Sequence, residues 1–425
     1  MRRRDLVSAL VAAPVAAPFL LTRAAAEPVE PPAPDFPPLK ISPALRMRLL
    51  ALMRAYGRGS ADYDPARRPY AVFDWDNTSI MNDCEETLFL TVIDSFAFRL
   101  PPEEFSQVVR QNVPDGPFAG AYRTVAGAPV SFASLAADID ADYAALAATY
   151  GIPAPPEKRA ALAKDDRLAS LRAKLLFTYS ALMDTFGDRL GDTWMVGFWA
   201  GNTEEQLQRL AAANNDANLG RAMAELQAVT PKSHPGKAGI VSQTYLDGLR
   251  LTPEIACIQH GLRAVGIDVI VVSATCEDVA KVFACDPRYG YNLPPENVFG
   301  IRMGRRDGKL DWRPADNWPI TWGPGKVEAI RRTMVDARGF GPLLVFGDSE
   351  GDFNMLSEFR ETELGVIVNR VKGGGIGELS RKAAEQMGMS NPRYILQGRT
   401  EETGEWRPSA MTLQLGREGE TLVRA

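Results

Sequence analysis

Tyr70-Ala71-Val72-Phe73-Asp74-Trp75-Asp76-Asn77-Thr78 is a short apolar run that ends in acidic and hydroxyl residues. Residues 70–75 read as a buried strand that delivers carboxylates at its C-terminal end. Two later stretches have the same form. Ile267–Val272, apolar and β-branched, suits a parallel strand buried on both faces and runs into Ser273-Ala274-Thr275. Pro342–Phe346 runs into Gly347-Asp348-Ser349-Glu350-Gly351-Asp352, and Val366–Val368 reads as one more strand. Helical patterns at Pro253–Val265 and Lys326–Val335 precede the second and third of these strands. Helix then strand, repeated, predicts an α/β fold with a doubly wound parallel sheet.

Working outward, residues 85–244 carry mostly helical patterns, as in Asp165–Phe177 and Thr203–Ala213. The second of these opens on a capping box, Thr203-Glu204-Glu205-Gln206. So long a block between the first two strands reads as an inserted, mostly helical cap. The core is then expected at 41–84 and 245–370, with 371–425 a C-terminal extension of no assignable role.

The chain has 425 residues, 45% hydrophobic and 24% charged, which excludes wholesale disorder and collagen. Net charge −5 and a pI near 5.4 leave no basic surplus to track a phosphate backbone, so no nucleic-acid partner is expected. Four cysteines cannot build a disulfide framework, and two histidines without CxxC or HExxH leave little for zinc.

Arg2-Arg3-Arg4, the apolar stretch Leu6–Leu21 and Ala24-Ala25-Ala26 read as an export signal over residues 1–26. The stretch is broken by Pro14 and Pro18 and falls short of the about 20 apolar residues of a bilayer span. Arg3-Arg4-Asp5-Leu6-Val7 resembles a twin-arginine motif, so a periplasmic or secreted location is expected, with no membrane association after cleavage. Residues 27–40, rich in proline, read as an extended linker.

In open α/β sheets ligands bind at the carboxyl ends of strands, so Asp74, Ser273 and Asp348 are expected to converge. Facing carboxylates repel, and Mg²⁺, which prefers oxygen ligands, relieves this. With phosphate oxygens so neutralised, a carboxylate can attack phosphorus. Lys326 and Ser273 offer a charge and a hydroxyl to those oxygens. Asp76, two residues past Asp74, can protonate a leaving alkoxide and later deprotonate water.

Here the chain resembles the haloacid-dehalogenase-like phosphatase superfamily. Its DxDx[TS] motif is matched by Asp74–Thr78, its strand-end Ser or Thr by Ser273, its Lys or Arg by Lys326, and its GDxxxD by Gly347–Asp352. The resemblance covers roughly residues 68–100 and 245–370. It implies Asp74 as nucleophile and Asp76 as general acid/base. It implies Mg²⁺ on Asp74, the Asp76 carbonyl and Asp348, with Asp352 in support. It also implies phosphate held by Asn77, Thr78, Ser273 and Lys326. The expected partner is a small phosphorylated substrate, and oligomeric state is not legible.

Export, the Asp-x-Asp-Asn-Thr variant and the acidic run Asp83-Cys84-Glu85-Glu86 are similar to bacterial phosphorylcholine phosphatases. A quaternary-ammonium head group prefers carboxylates and aromatic faces. Glu85 and Glu86 are candidates for the first. Two clusters, Trp194/Phe198/Trp199 and Trp312/Trp318/Trp322, are candidates for the second. The alternatives are a broad exported acid phosphatase, a phosphotransferase, or a non-catalytic binding protein of the same fold.

Overall fold

The computed structural model describes residues 35–424. The export signal and most of the expected linker lie outside the described residues. Packing begins before the expected end of the linker at residue 40: Phe36 is buried in the core and Asp35 pairs with Arg46. Among the described residues no helix is long and apolar enough to cross a membrane.

Six parallel strands form the central sheet: β1 (Tyr70–Phe73), β2 (Asp268–Cys276), β3 (Val298–Ile301), β4 (Leu344–Gly347), β5 (Leu364–Val368) and β6 (Tyr394–Gln397). Their order is β6-β5-β4-β1-β2-β3. Side-chain alternation feeds a core on each face. Phe73, Val271 and Phe346 enter one, where helices Pro43–Tyr56 and Pro253–Ala264 pack. Val72, Ile270 and Val345 enter the other, beneath helices Pro324–Ile330 and Gly374–Glu385. Strands this thoroughly covered must be apolar throughout, as their sequences are. The winding reverses between β1 and β4, and Asp74 and Asp348 follow the ends of those two strands.

The inserted block leaves the core at Ile80–Met81 and returns at Arg250–Leu251, and these two segments pair antiparallel. Asn82 ties the crossing points further by donating to the carbonyls of Leu246 (3.1 Å) and Gly248 (2.8 Å). Between them lie helices Cys84–Ser95, Phe132–Tyr150, Asp166–Phe186, Asp188–Val196 and Glu204–Leu219. The block also contains an antiparallel hairpin, Ala224–Val229 with Ser242–Asp247, which the helical reading did not anticipate.

The expected end of the core at residue 370 is corrected. β6 and helix Gly374–Glu385 complete the sheet and its second face, and short strands from Arg399 to Thr421 form a small separate sheet. Glycine-rich, charged sequence around β6 hid this.

The hairpin's connecting loop is fastened by a buried charge cluster. Lys174, 1% exposed, lies 3.3 Å from Asp138 and 3.6 Å from Asp142. Asp138 also accepts the backbone N–H groups of Lys237 and Ala238, both at 2.8 Å. Removing one partner of such a cluster leaves uncompensated buried charge. Lys174→Met is therefore expected to destabilise the protein by about 3–5 kcal/mol in urea unfolding. A change under about 1 kcal/mol would show that water already screens the two aspartates.

Candidate active site

Asp74 stands at the end of β1, its backbone N–H donating to Phe346 O on β4 at 3.0 Å. Lys326, at the start of helix Pro324–Ile330 and 2% exposed, bridges two acids: Nζ lies 2.6 Å from Asp74 Oδ1 and 2.7 Å from Asp352 Oδ1. Asp352 Oδ2 accepts the N–H groups of Asp348 (2.9 Å) and Ser349 (3.1 Å), so both its oxygens are engaged and it braces the loop after β4. Asp348 accepts from Thr78 Oγ1 at 2.7 Å and pairs with Arg370 at 2.8 Å.

Oxygen atoms of Asp74, Asp348 and Asp352 lie within 4.8 Å of one another. An all-carboxylate donor set at a strand-end cleft fits a hard divalent cation that keeps part of its water, as Mg²⁺ does. Burial and neighbouring charges act on each of these groups in opposite senses. Burial and Asp352 push the Asp74 carboxyl well above its usual range, against Lys326. Burial opposes the charge on Lys326, but Asp352 and Asp74 outweigh it and raise its pKa. Burial also works on Asp348, yet Arg370 and the Thr78 hydrogen bond hold that carboxyl below its usual range.

Asp76 points toward β2. Its carboxylate accepts from Thr275 Oγ1, from Cys84 N at 2.7 Å and weakly from Ser273 Oγ at 3.4 Å. Burial raises its pKa, and these hydrogen bonds limit the rise. Asn77 takes a left-handed backbone conformation, φ 60°, which asparagine tolerates. Its carbonyl accepts from Arg399 at 3.0 Å. All the motif residues named from sequence thus gather at one place. Asp74, Asp76, Asn77, Ser273, Lys326 and Asp348 line one chamber of about 370 Å³ between core and cap. Thr78 and Asp352 stand behind its wall.

Glu85 and Glu86 line the same chamber. Glu85 is fully engaged, accepting from Trp199 Nε1 at 2.7 Å and Cys276 N at 3.2 Å. Glu86 accepts from Tyr179 Oη at 3.0 Å. Asp184, Asp188 and Asp192 add further carboxylates from the cap.

Neither aromatic cluster forms a cage. Trp194, Phe198 and Trp199 are fully buried in the cap interior. Trp312 and Trp318 line a separate surface cleft, where Trp318 stacks on Arg302 at 3.6 Å. Only Trp322 of that group reaches the chamber. All four cysteines are free.

Sequence reasoning missed Arg370, Lys372, Tyr179 and the cap aspartates. Arg370 was within reach, since it lies just beyond β5 and the strand-end rule that found Asp74 applies equally there. Tyr179 carried no signal, being one aromatic among many in a helix.

The parallel sheet order, the helices on both its faces and the inserted cap give the chain a doubly wound α/β architecture with a helical insert. No family model matches the chain. It is 38% identical over 107 residues to a phosphorylcholine phosphatase of Pseudomonas aeruginosa, a match that covers 20% of this chain and 30% of that relative. A crystal structure of a conserved protein of unknown function from Anaerococcus prevotii superposes with a TM-score of 0.81 at 28% identity. That match covers 89% of this chain and 98% of the other.

Glu85 supplies a pH test. Burial pushes its carboxyl up to about 8, so the folded protein keeps a proton that the unfolded chain releases near 4.5. Its stabilising contribution is full below about pH 4.5 and is lost as pH rises toward 8. Glu85→Gln should flatten the decline in stability across that window, measured as unfolding free energy against pH. A decline as steep as the wild type's would assign it to other groups.

Proposed function

We propose that the chain is an exported, magnesium-dependent phosphomonoester hydrolase that works through an aspartyl-phosphate on Asp74. The observation that carries this reading is the grouping of Asp74, Asp348 and Asp352 at the reversal of the sheet, with Lys326 bridging Asp74 and Asp352 and Asp76 facing the same chamber. The side chains of Asp74 and Asp348 and the Asp76 carbonyl would hold Mg²⁺. When bound, the ion neutralises phosphoryl oxygens.

A phosphomonoester enters with its phosphorus in front of Asp74. Asp74 Oδ attacks, the P–O bond to the alcohol breaks, and Asp76 gives the leaving alkoxide a proton. Lys326 keeps the Asp74 carboxylate oriented and balances its charge, while Ser273 Oγ donates to a phosphoryl oxygen. Asp76 then takes a proton from water, which attacks phosphorus, releases phosphate and restores Asp74. Asp348, held by Arg370 and Thr78, stays ionised throughout.

For the substrate we favour a small phosphorylated metabolite with a cationic head group, phosphorylcholine first. Two facts support this choice. The cap adds Asp184, Asp188 and Asp192 to the chamber lining, and the partly matching relative is named for that activity. The export reading rests on the N-terminal sequence, and detection of the protein in the periplasmic fraction, shortened by residues 1–26, tests it.

The hydrolase reading is tested by turnover of phosphomonoesters with purified protein. Asp74→Asn should abolish activity, and Asp76→Asn should lower kcat by about 10²–10⁴. Chelation should remove activity, and added Mg²⁺ should restore it. Full activity in Asp74→Asn would defeat the mechanism. Phosphorylcholine turned over no faster than a neutral ester would defeat the head-group assignment.

A further inference from the structure

Two hydroxyls stand at the end of β2, and they divide the work. Ser273 and Thr275 both line the catalytic chamber, and both are buried, at 1% and 4% exposure. Ser273 Oγ reaches Asp76 Oδ2 only at 3.4 Å, so its hydrogen is free for a phosphoryl oxygen. Thr275 Oγ1 spends its one proton on the same carboxyl oxygen.

Thr275 is itself fixed through its neighbours. Thr321 Oγ1 donates to the Ser273 carbonyl at 2.6 Å, and Cys276 N–H donates to Glu85 at 3.2 Å. The register of β2 against β3 shifts between Val272 and Cys276, an irregularity of the kind that re-aims side chains beside a site. A β-branched side chain adds stiffness at χ1. The other oxygen of Asp76, Oδ1, accepts the N–H of Cys84 at 2.7 Å, and Cys84 is the first residue of the cap helix Cys84–Ser95. The carboxyl is therefore gripped at one oxygen by the core and at the other by the cap. These two bonds occupy two of its roughly four lone-pair positions and leave room for the proton that moves.

We infer that Thr275 is the positioning residue of the general acid. This rests on the hydrolase reading and deepens it. In the first step the bond from Asp74 Oδ to phosphorus forms, and the bond from phosphorus to the alcohol oxygen breaks. The Asp76 proton goes to that oxygen, and Asp76 is left as a carboxylate. Thr275 donates to Asp76 before and after, and keeps its own proton. A carboxyl turned out of line by about an ångström loses this transfer, while attack by Asp74 is untouched. The contribution of Thr275 is therefore set by the leaving group. A strongly basic alkoxide needs a proton as it leaves, whereas the weakly basic p-nitrophenolate departs unaided.

The test compares kcat/KM for ethyl phosphate and p-nitrophenyl phosphate in the full chain with Mg²⁺. That ratio ends at alcohol release, so it excludes the later attack of water. Thr275→Val keeps the shape and removes the hydroxyl. It should lower the value for ethyl phosphate by about 10- to 100-fold and that for p-nitrophenyl phosphate by less than about threefold. Thr275→Ser restores a hydroxyl and should recover most of the ethyl phosphate activity. Thr275→Ala repeats the comparison should the valine variant not fold. Equal losses for the two esters, or no loss for either, overturn the positioning role. So does a serine variant as impaired as the valine one. The hydrolase reading fails separately. It falls if Asp74→Asn keeps full turnover of both esters, and it stands if that variant is dead while Thr275→Val is indifferent to the leaving group. Neither ester hydrolysed by the wild type would remove both.

Discussion

Lys326 is the contact on which the site's arrangement depends. One buried ammonium lies within 3 Å of two buried carboxylates that come from opposite sides of the sheet's reversal point. Asp74 ends β1, and Asp352 belongs to the loop after β4. Without a cation between them, two carboxylates in a dry cleft cannot both stay ionised. With it, Asp352 can spend its second oxygen on the backbone of Asp348 and Ser349, which fixes the direction of the Asp348 side chain. Arg370 repeats the device one strand further out. Charge is thus gathered where ligands bind, and each acid is kept in place by a named cation or donor.

The cap acts on this arrangement through two narrow connections. Because Ile80–Met81 and Arg250–Leu251 pair with each other, the chain leaves and rejoins the core at one point. The more than 150 residues between them therefore sit on a short two-stranded stem close to the nucleophile. Trp199 and Cys276 both donate to Glu85, so one cap helix, one buried aromatic and the end of β2 meet on a single carboxylate. Any swing of the cap must pass through these contacts.

The core was legible because its signals are local. A buried parallel strand is a continuous apolar run, and the residue that follows it faces the ligand cleft, so Asp74, Ser273 and Asp348 could be found one at a time. Lys326 was legible from its place at a helix start before a strand. The rest depends on partners far away in sequence. β6 sits within glycine-rich, charged sequence that hides its apolar core, and Arg399, 2% exposed, matters only because the small C-terminal sheet sets it against Asn77. The hairpin in the cap lacks a two-residue turn, its strands being joined by a long loop pinned through Lys174 and Asp138. No short-range pattern encodes that.

The aromatic clusters show why composition alone misplaces a binding surface. Trp194, Phe198 and Trp199 have the right chemistry for an organic cation, but three adjacent large rings on short helical turns are first of all packing material. They fill the cap interior, and Trp199 spends its one donor on Glu85. Three rings that border open space in the cap, Tyr122, Tyr179 and Tyr245, are scattered over more than 120 residues and meet only when helix Asp166–Phe186 lies against the hairpin. Tyrosine suits that boundary better than tryptophan would, since its hydroxyl can tie down a carboxylate while its ring faces the cavity. Where the two hydroxyl–carboxylate pairs sit, at Glu86 and Asp184, therefore follows from that packing and from nothing that the local sequence around either acid displays.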